Sequence, residues 1–209
     1  GSTSTVGIIA NCRRPDGVLP EPLSGRSGIT FPLCSQFRFD LPRGVSWGGE
    51  MNFAKAHLKV LGLYGLDSMF GESDGHIHFS SRFARDFDFS ISDGISRDKT
   101  DFLSVAIHEI GHLLGFKSSL DEVDAGELIF TPTILDLFRF NKVNDPNDFI
   151  NNNRIANPAL GDHIFISPGL SYNNNTRLAR GIYRGDGNQA SHWKADEQTG
   201  VNLGIMDPS

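Results

Sequence analysis

Apolar residues recur at helical spacing through Phe102, Val105, Ala106, Ile110, Leu113 and Leu114, which predicts an amphipathic helix over about Asp101 to Leu114. Its start signal is Thr100 or Asp101, after the non-periodic SDGISRDK, and its stop signal is Gly115. A second helix is expected from about Gly49 to Leu63, where Met51, Phe53, Ala54, Leu58, Leu61 and Leu63 would back onto a sheet and His57 would take the polar side. QFRFDL, Gln36 to Leu41, reads as a strand, and GHIHFSSRFARDFDFSIS, residues 75 to 92, alternates as one or two strands. Beyond Gly115 the pattern loosens. A strand pair is expected around His163 to Ile166 and Arg180 to Tyr183, with His163 at a sheet edge.

The first helix carries the chemistry. It reads VAIHEIGHLLGF, so His108 and His112 lie one turn apart on one face, where two neutral imidazoles can converge on a zinc ion at about 2.0–2.1 Å each. Glu109 follows the first ligand directly, where a carboxylate can take a proton from a metal-activated water and later give it to a leaving amine. Chance supplies an H-E-x-x-H in a chain of this length and composition with odds of roughly 0.8%, so the match is read as a metal site. Gly115 can adopt positive φ and turn the chain sharply after the helix.

H-E-x-x-H-x-x-G is the shape of the metzincin peptidases, whose third ligand usually follows three residues after that glycine. Here that position is Ser118, a poor zinc ligand. Far downstream stand ASHW, Ala190 to Trp193, and GIMDP, Gly204 to Pro208, with ILDLFRF, Ile134 to Phe140, between them and the helix. In this order the pieces resemble the leishmanolysin-type branch of the metzincins, and especially bacterial secreted peptidases of that type. The resemblance covers the chain from about residue 85 onward. It implies His192 as third ligand and Met206 as the Met-turn residue forming an apolar floor beneath the ligands. It also implies an α+β metzincin-like fold: a twisted mixed sheet, a backing helix, an active-site helix and a loop-rich C-terminal lobe. A single catalytic domain over 1–209 is expected, its upper lobe about 1–115 and its lower lobe about 116–209, with zinc between them.

Rival ligands are weighed on the same residues. His163, in GDHIFIS, is the alternative to His192; His76 and His78 share a strand face but lack a third partner. Asp121, Glu122, Asp124 and Glu127 are expected to form a solvated acidic face, with substitution for the third ligand as their other role. Many metzincins place a tyrosine two residues after the Met-turn methionine. Here that position is Pro208, leaving Tyr172 or Tyr183 to steady an oxyanion.

Composition narrows the class. At 209 residues and 38% hydrophobic the chain can bury a core, and its net charge of −6 argues against a nucleic-acid partner. It has no apolar run of 18 residues, hence no expected membrane span. Cys12 and Cys34 are the only cysteines and are expected to bridge, which suits an oxidising compartment; a signal segment is not in this chain, and Gly1-Ser2 reads as a trimmed start. Together these features lead to the expectation of a secreted, zinc-dependent endopeptidase acting on protein or peptide substrates. The alternatives are a non-peptidase zinc amidohydrolase and a catalytically weak peptide-binding protein of peptidase ancestry.

Overall fold

The structure is a computed structural model that describes residues 7–11, 37–61, 66–141, 149, 151–167 and 176–208. In chain order the elements are β1 (Gly7–Asn11), β2 (Phe39–Asp40), β3 (Ser46–Trp47), β4 (Glu50–Ala54), α1 (Lys55–Val60), α2 (Leu66–Phe70), a 3₁₀ turn (Ser81–Asp86), β5 (Phe87–Asp88), β6 (Thr100–Asp101) and α3 (Phe102–Leu113). There follow α4 (Leu120–Asp124), β7 (Ile129–Phe130), α5 (Ile134–Leu137), β8 (Arg139–Phe140), β9 (Arg154–Ile155), β10 (His163–Phe165), β11 (Arg177–Leu178) and α6 (Asp196–Thr199). The class is mixed α and β. Among the described residues, strand pairing is spread over small sheets, β1-β4, β2-β9, β3-β7, β5-β6 and β11-β10-β8, rather than one twisted sheet. The chain separates into two compact units, residues 54–115 and residues 7–53 with 116–209. The Cys12 and Cys34 bridge and Tyr172 lie outside the described residues.

Two expected elements differ. The helix over Gly49 to Leu63 is a strand up to Ala54 and a helix only from Lys55 to Val60. Met51 and Phe53 are buried two residues apart, the period of a strand, and that alternation outweighs the helical reading of the same apolar residues. The stretch 75–92 holds only the two-residue β5 after the 3₁₀ turn. Ser80 accepts the Arg82 N–H at 3.3 Å and so starts that turn, a local side-chain to backbone bond that competes with extended pairing.

In the first unit, Lys55 is fully buried and its ammonium meets Asp67 at 2.6 Å, the Ser73 carbonyl at 3.2 Å and the Gly71 carbonyl. Lys59 binds the same Asp67 at 2.9 Å and Asp74 at 2.7 Å, so α1 is tied to α2 by a shared carboxylate and to the segment after α2 by Asp74. Around the start of α3, Phe102 meets Phe79, Phe87 and Phe89 at ring separations of 4.9, 5.4 and 4.9 Å.

The second unit has its own core of Leu120, Val123, Phe130, Ala156 and Ala190, against which Phe39, Leu41 and Val45 pack. Burying each large apolar side chain there contributes about 1.5–3 kcal/mol. Charged side chains also enter this interior. Arg154 is fully buried, donates to the carbonyls of Leu137, Asn152 and Phe149 at 3.0, 2.8 and 2.8 Å, and lies 4.4 Å from the Phe37 ring centre and 4.7 Å from that of Phe149. Its polar hydrogens are thus met by main-chain oxygens and its flat face by rings. Among the described residues no helix is long and apolar enough to cross a membrane.

Candidate metal centre

α3 starts where the sequence indicates. Asp101 is its N-cap, accepting the N–H groups of Leu103 at 3.2 Å and Ser104 at 3.0 Å. The Ser104 hydroxyl adds a further bond, and this holds the Asp101 carboxyl below its usual range. At the other end the Gly115 N–H donates to the His112 carbonyl at 3.0 Å and Gly115 takes φ of +111°. Only glycine fits there. Its backbone lies in the left-handed region, and an added Cβ would stand 2.1 Å from the His57 ring. His57 is therefore not on a solvated helix face. Half-buried against Gly115, it is held below its ordinary pKa by burial.

One helical turn brings the two histidines together. The Nε2 atoms of His108 and His112 are 3.0 Å apart, with ring planes at 84°. Two nitrogens bound tetrahedrally to zinc at about 2.0–2.1 Å lie about 3.3 Å apart, so the pair is already spaced for one ion. The third nitrogen belongs to His192. Ligand atoms of His108, His112 and His192 all lie within 4.8 Å of one another, so the three can hold a metal ion. A set of imidazoles without thiolate suits zinc and other late first-row metals and is poorly matched to calcium or magnesium, which take oxygen ligands. His192 is buried, and its Nδ1 donates to the Gln189 carbonyl at 3.2 Å. A carbonyl can only accept, so Nδ1 carries the proton and the Nε2 lone pair is the one presented for ligation.

The backbone around His192 is fixed on both sides. Its carbonyl accepts the Ala179 N–H at 3.0 Å, and the Lys194 N–H donates to Arg177 at 2.8 Å, so residues 192–194 run beside β11. The Trp193 N–H donates to the Met206 carbonyl at 3.0 Å, while its indole meets Phe116 and Phe165 edge-on at 4.9 and 5.6 Å. Met206 is buried. Its turn is closed by the Asp207 N–H on the Gly204 carbonyl at 3.0 Å, with the Asp207 carboxylate accepting from Leu203 and Gly204 at 3.1 Å each. Glu109 is half-buried on α3, next to His108.

His163 is not at a sheet edge. It lies in β10, the central strand of β11-β10-β8, and is fully buried. Both ring nitrogens are occupied: Nδ1 accepts from the Arg139 guanidinium at 3.0 Å, since arginine can only donate, and Nε2 donates to the Asn157 carbonyl at 3.1 Å. Burial, reinforced by the Arg139 charge, pushes its pKa down to about 2.

That depression predicts a pH dependence. The unfolded chain takes up a proton at His163 below about pH 6.5 and the folded chain does not, so stability falls with falling pH by about 1.4 kcal/mol per unit. Asp121 acts in the opposite sense. Burial pushes it up to about 6, so between that value and the ordinary carboxylate range the folded state binds the extra proton. Comparing wild type with His163→Asn isolates the histidine, because Asn retains an acceptor for Arg139. The stability advantage of wild type over the variant is expected to shrink by about 2 kcal/mol between pH 7 and pH 5 in urea denaturation. Parallel profiles would refute this.

The acidic residues after Gly115 are not a uniformly solvated face. Asp124 is buried and accepts the N–H groups of Tyr183 and Arg184 at 2.6 and 2.7 Å, while Asp121 accepts that of Ala190 at 2.8 Å. Glu122 and Glu127 are exposed, and partial desolvation of the Glu122 carboxyl raises it above its usual pKa. Asp121 and Asp124 hold turns because the backbone donors there need acceptors. Tyr183 is largely exposed. Ser118, the position that departs from the metzincin spacing, is buried with its hydroxyl donating to Asp136 and its N–H to the Ser191 hydroxyl at 3.0 Å. Asp136 and Arg139 went unnoticed as candidates in the sequence. The available signal was a charge pair three residues apart inside the otherwise apolar ILDLFRF. Comparison with family models, with curated proteins and with solved structures finds no match for this chain.

Proposed function

We propose that the chain is a secreted zinc-dependent endopeptidase of the leishmanolysin-like metzincin type. The observation that carries the reading is that ligand atoms of His108, His112 and His192 lie within 4.8 Å of one another, the first two residues standing on the helix that also carries Glu109. The glycine turn at Gly115 and the Gly204 to Asp207 turn bonded to the histidine segment support it as well. His108, His112 and His192 would hold the ion, and zinc held there would supply Lewis acidity to a water and to a scissile carbonyl.

The protein's own groups do the rest. Glu109 takes the proton of the attacking water and returns it to the amine as the peptide bond breaks, with no covalent acyl-enzyme. The Nδ1–H bond to the Gln189 carbonyl holds the His192 ring and its tautomer. Protein and peptide chains are the substrates in this reading.

Hydrolysis of casein should accompany about one zinc per chain, stop with a chelator such as 1,10-phenanthroline and return when zinc is added back. Cleavage only of small formyl or acyl amides would instead indicate an amidohydrolase. Bound zinc with no turnover of either would indicate a binding protein, and chelator-resistant casein cleavage would remove the metal from the mechanism.

A further inference from the structure

We infer that Arg139 is a positioning residue for the metal centre: its buried guanidinium sets the place of the Ala190-Ser191-His192 segment, and thereby the metal affinity of His192. The inference rests on the metal-centre reading above and adds to it a part that no metal ligand supplies. Arg139 is fully buried, and its fork is divided between two main-chain oxygens. Nη2 donates to the Ala190 carbonyl at 2.6 Å and Nη1 to the Ala179 carbonyl at 2.7 Å. The second bond reaches His192 by one further step, because the Ala179 N–H donates to the His192 carbonyl at 3.0 Å.

Ala190 is thus gripped at both ends by charge, its carbonyl by Arg139 and its N–H by Asp121 at 2.8 Å. Ser191 is held by the Ser118 N–H at 3.0 Å, and the Ser118 hydroxyl donates to Asp136. Asp136 lies 3.6 Å from Arg139 Nε and also accepts the Ser119 and Thr133 N–H groups at 3.0 and 2.9 Å. All of these side chains belong to one compact unit.

Energy alone does not explain such an arrangement. A buried ion pair is a weak source of stability, and well-packed apolar residues of similar volume often serve as well or better. A guanidinium with five directed donors does what an apolar side chain cannot. It fixes two separate carbonyls relative to each other, one immediately before the ligand segment and one bonded to the ligand residue itself. A lysine at the same place keeps the charge and loses the fork.

The test uses the whole chain and Co²⁺ as the probe. Affinity is measured by chelator competition, and coordination by the visible absorption of the bound ion. Arg139→Lys should weaken Co²⁺ binding by about 10- to 100-fold and lower the intensity of the d–d bands, as expected when groups behind a ligand are disturbed. Ser191→Ala, a small change that leaves Arg139 in place, should weaken binding by about two- to tenfold. Asp124→Asn is the control. It disturbs a buried carboxylate of the same kind that holds Tyr183 and Arg184 instead, so it should lower stability while leaving Co²⁺ affinity and spectrum unchanged.

If Arg139→Lys does not fold, Ser191→Ala against Asp124→Asn decides the matter. Unchanged affinity and spectrum in the folded Arg139 or Ser191 variant overturns the positioning role, as does an equal loss in Asp124→Asn. A wild-type chain that binds no Co²⁺ or Zn²⁺ overturns the metal-centre reading itself, a separate result.

Discussion

Glu109→Gln retains its metal and loses hydrolysis. The amide is close in shape to the carboxylate, so His108 and His112 stay where α3 places them, one turn apart with Nε2 atoms 3.0 Å from each other. What disappears is a group able to take a proton from water and pass it to the departing amine. General acid–base catalysis of this kind contributes about 10²- to 10⁴-fold, so kcat is expected to fall by that factor, about 3–5 kcal/mol of barrier. KM should change little, since substrate binding does not depend on the lost proton acceptor. Metal stoichiometry and casein turnover on the same sample check the prediction. A Glu109→Gln protein with near wild-type turnover would show that another group is the base.

His192→Ala loses metal and activity together. Structural four-ligand zinc sites gain about 10–16 kcal/mol on binding, so one of few ligands accounts for about 3 kcal/mol, or at least about 100-fold in affinity. His163→Asn provides the contrast. Its imidazole is committed to Arg139 and Asn157, so zinc content and casein hydrolysis are expected to remain when it is replaced. Retention of both properties in His192→Ala would mean that the third ligand is another residue, and the leishmanolysin-like reading of residues 116–209 would fail while the helix motif stood.

The helix and its two ends were the most legible part of the chain, because each depends on neighbours in sequence. Asp101 caps α3 through N–H groups two and three residues on, and Gly115 ends it through its own φ. The packing of Trp193 against Phe116 and Phe165 was not legible, because those rings lie 77 and 28 residues away in sequence. Strand pairing was read poorly. Most strands span only two residues, too few for alternation to show, and His163 pairs with Leu178 rather than with the stretch from Arg180 to Tyr183. The acidic residues misled for a related reason: composition marks them as soluble, while the backbone donors they serve lie about 60 to 70 residues away. No local pattern encodes a bond of that range.

The pairing of Trp193 with Met206 gives the last stretch of chain an uneven tolerance for change in length. The bond joins main-chain atoms, so it specifies where the two residues meet and not how many residues lie between them. Residues 194–203 form an enclosed loop containing the four-residue α6. Closing a loop twice as long costs only about 0.6 kcal/mol more. The four positions from Ala190 to Trp193 have no such latitude, because each is bonded to a different fixed partner. An extra residue there would shift every bond by one and turn the imidazole away. Homologous chains of this design can therefore be expected to share an ungapped A-S-H-W block followed by a spacer of varying length before the methionine.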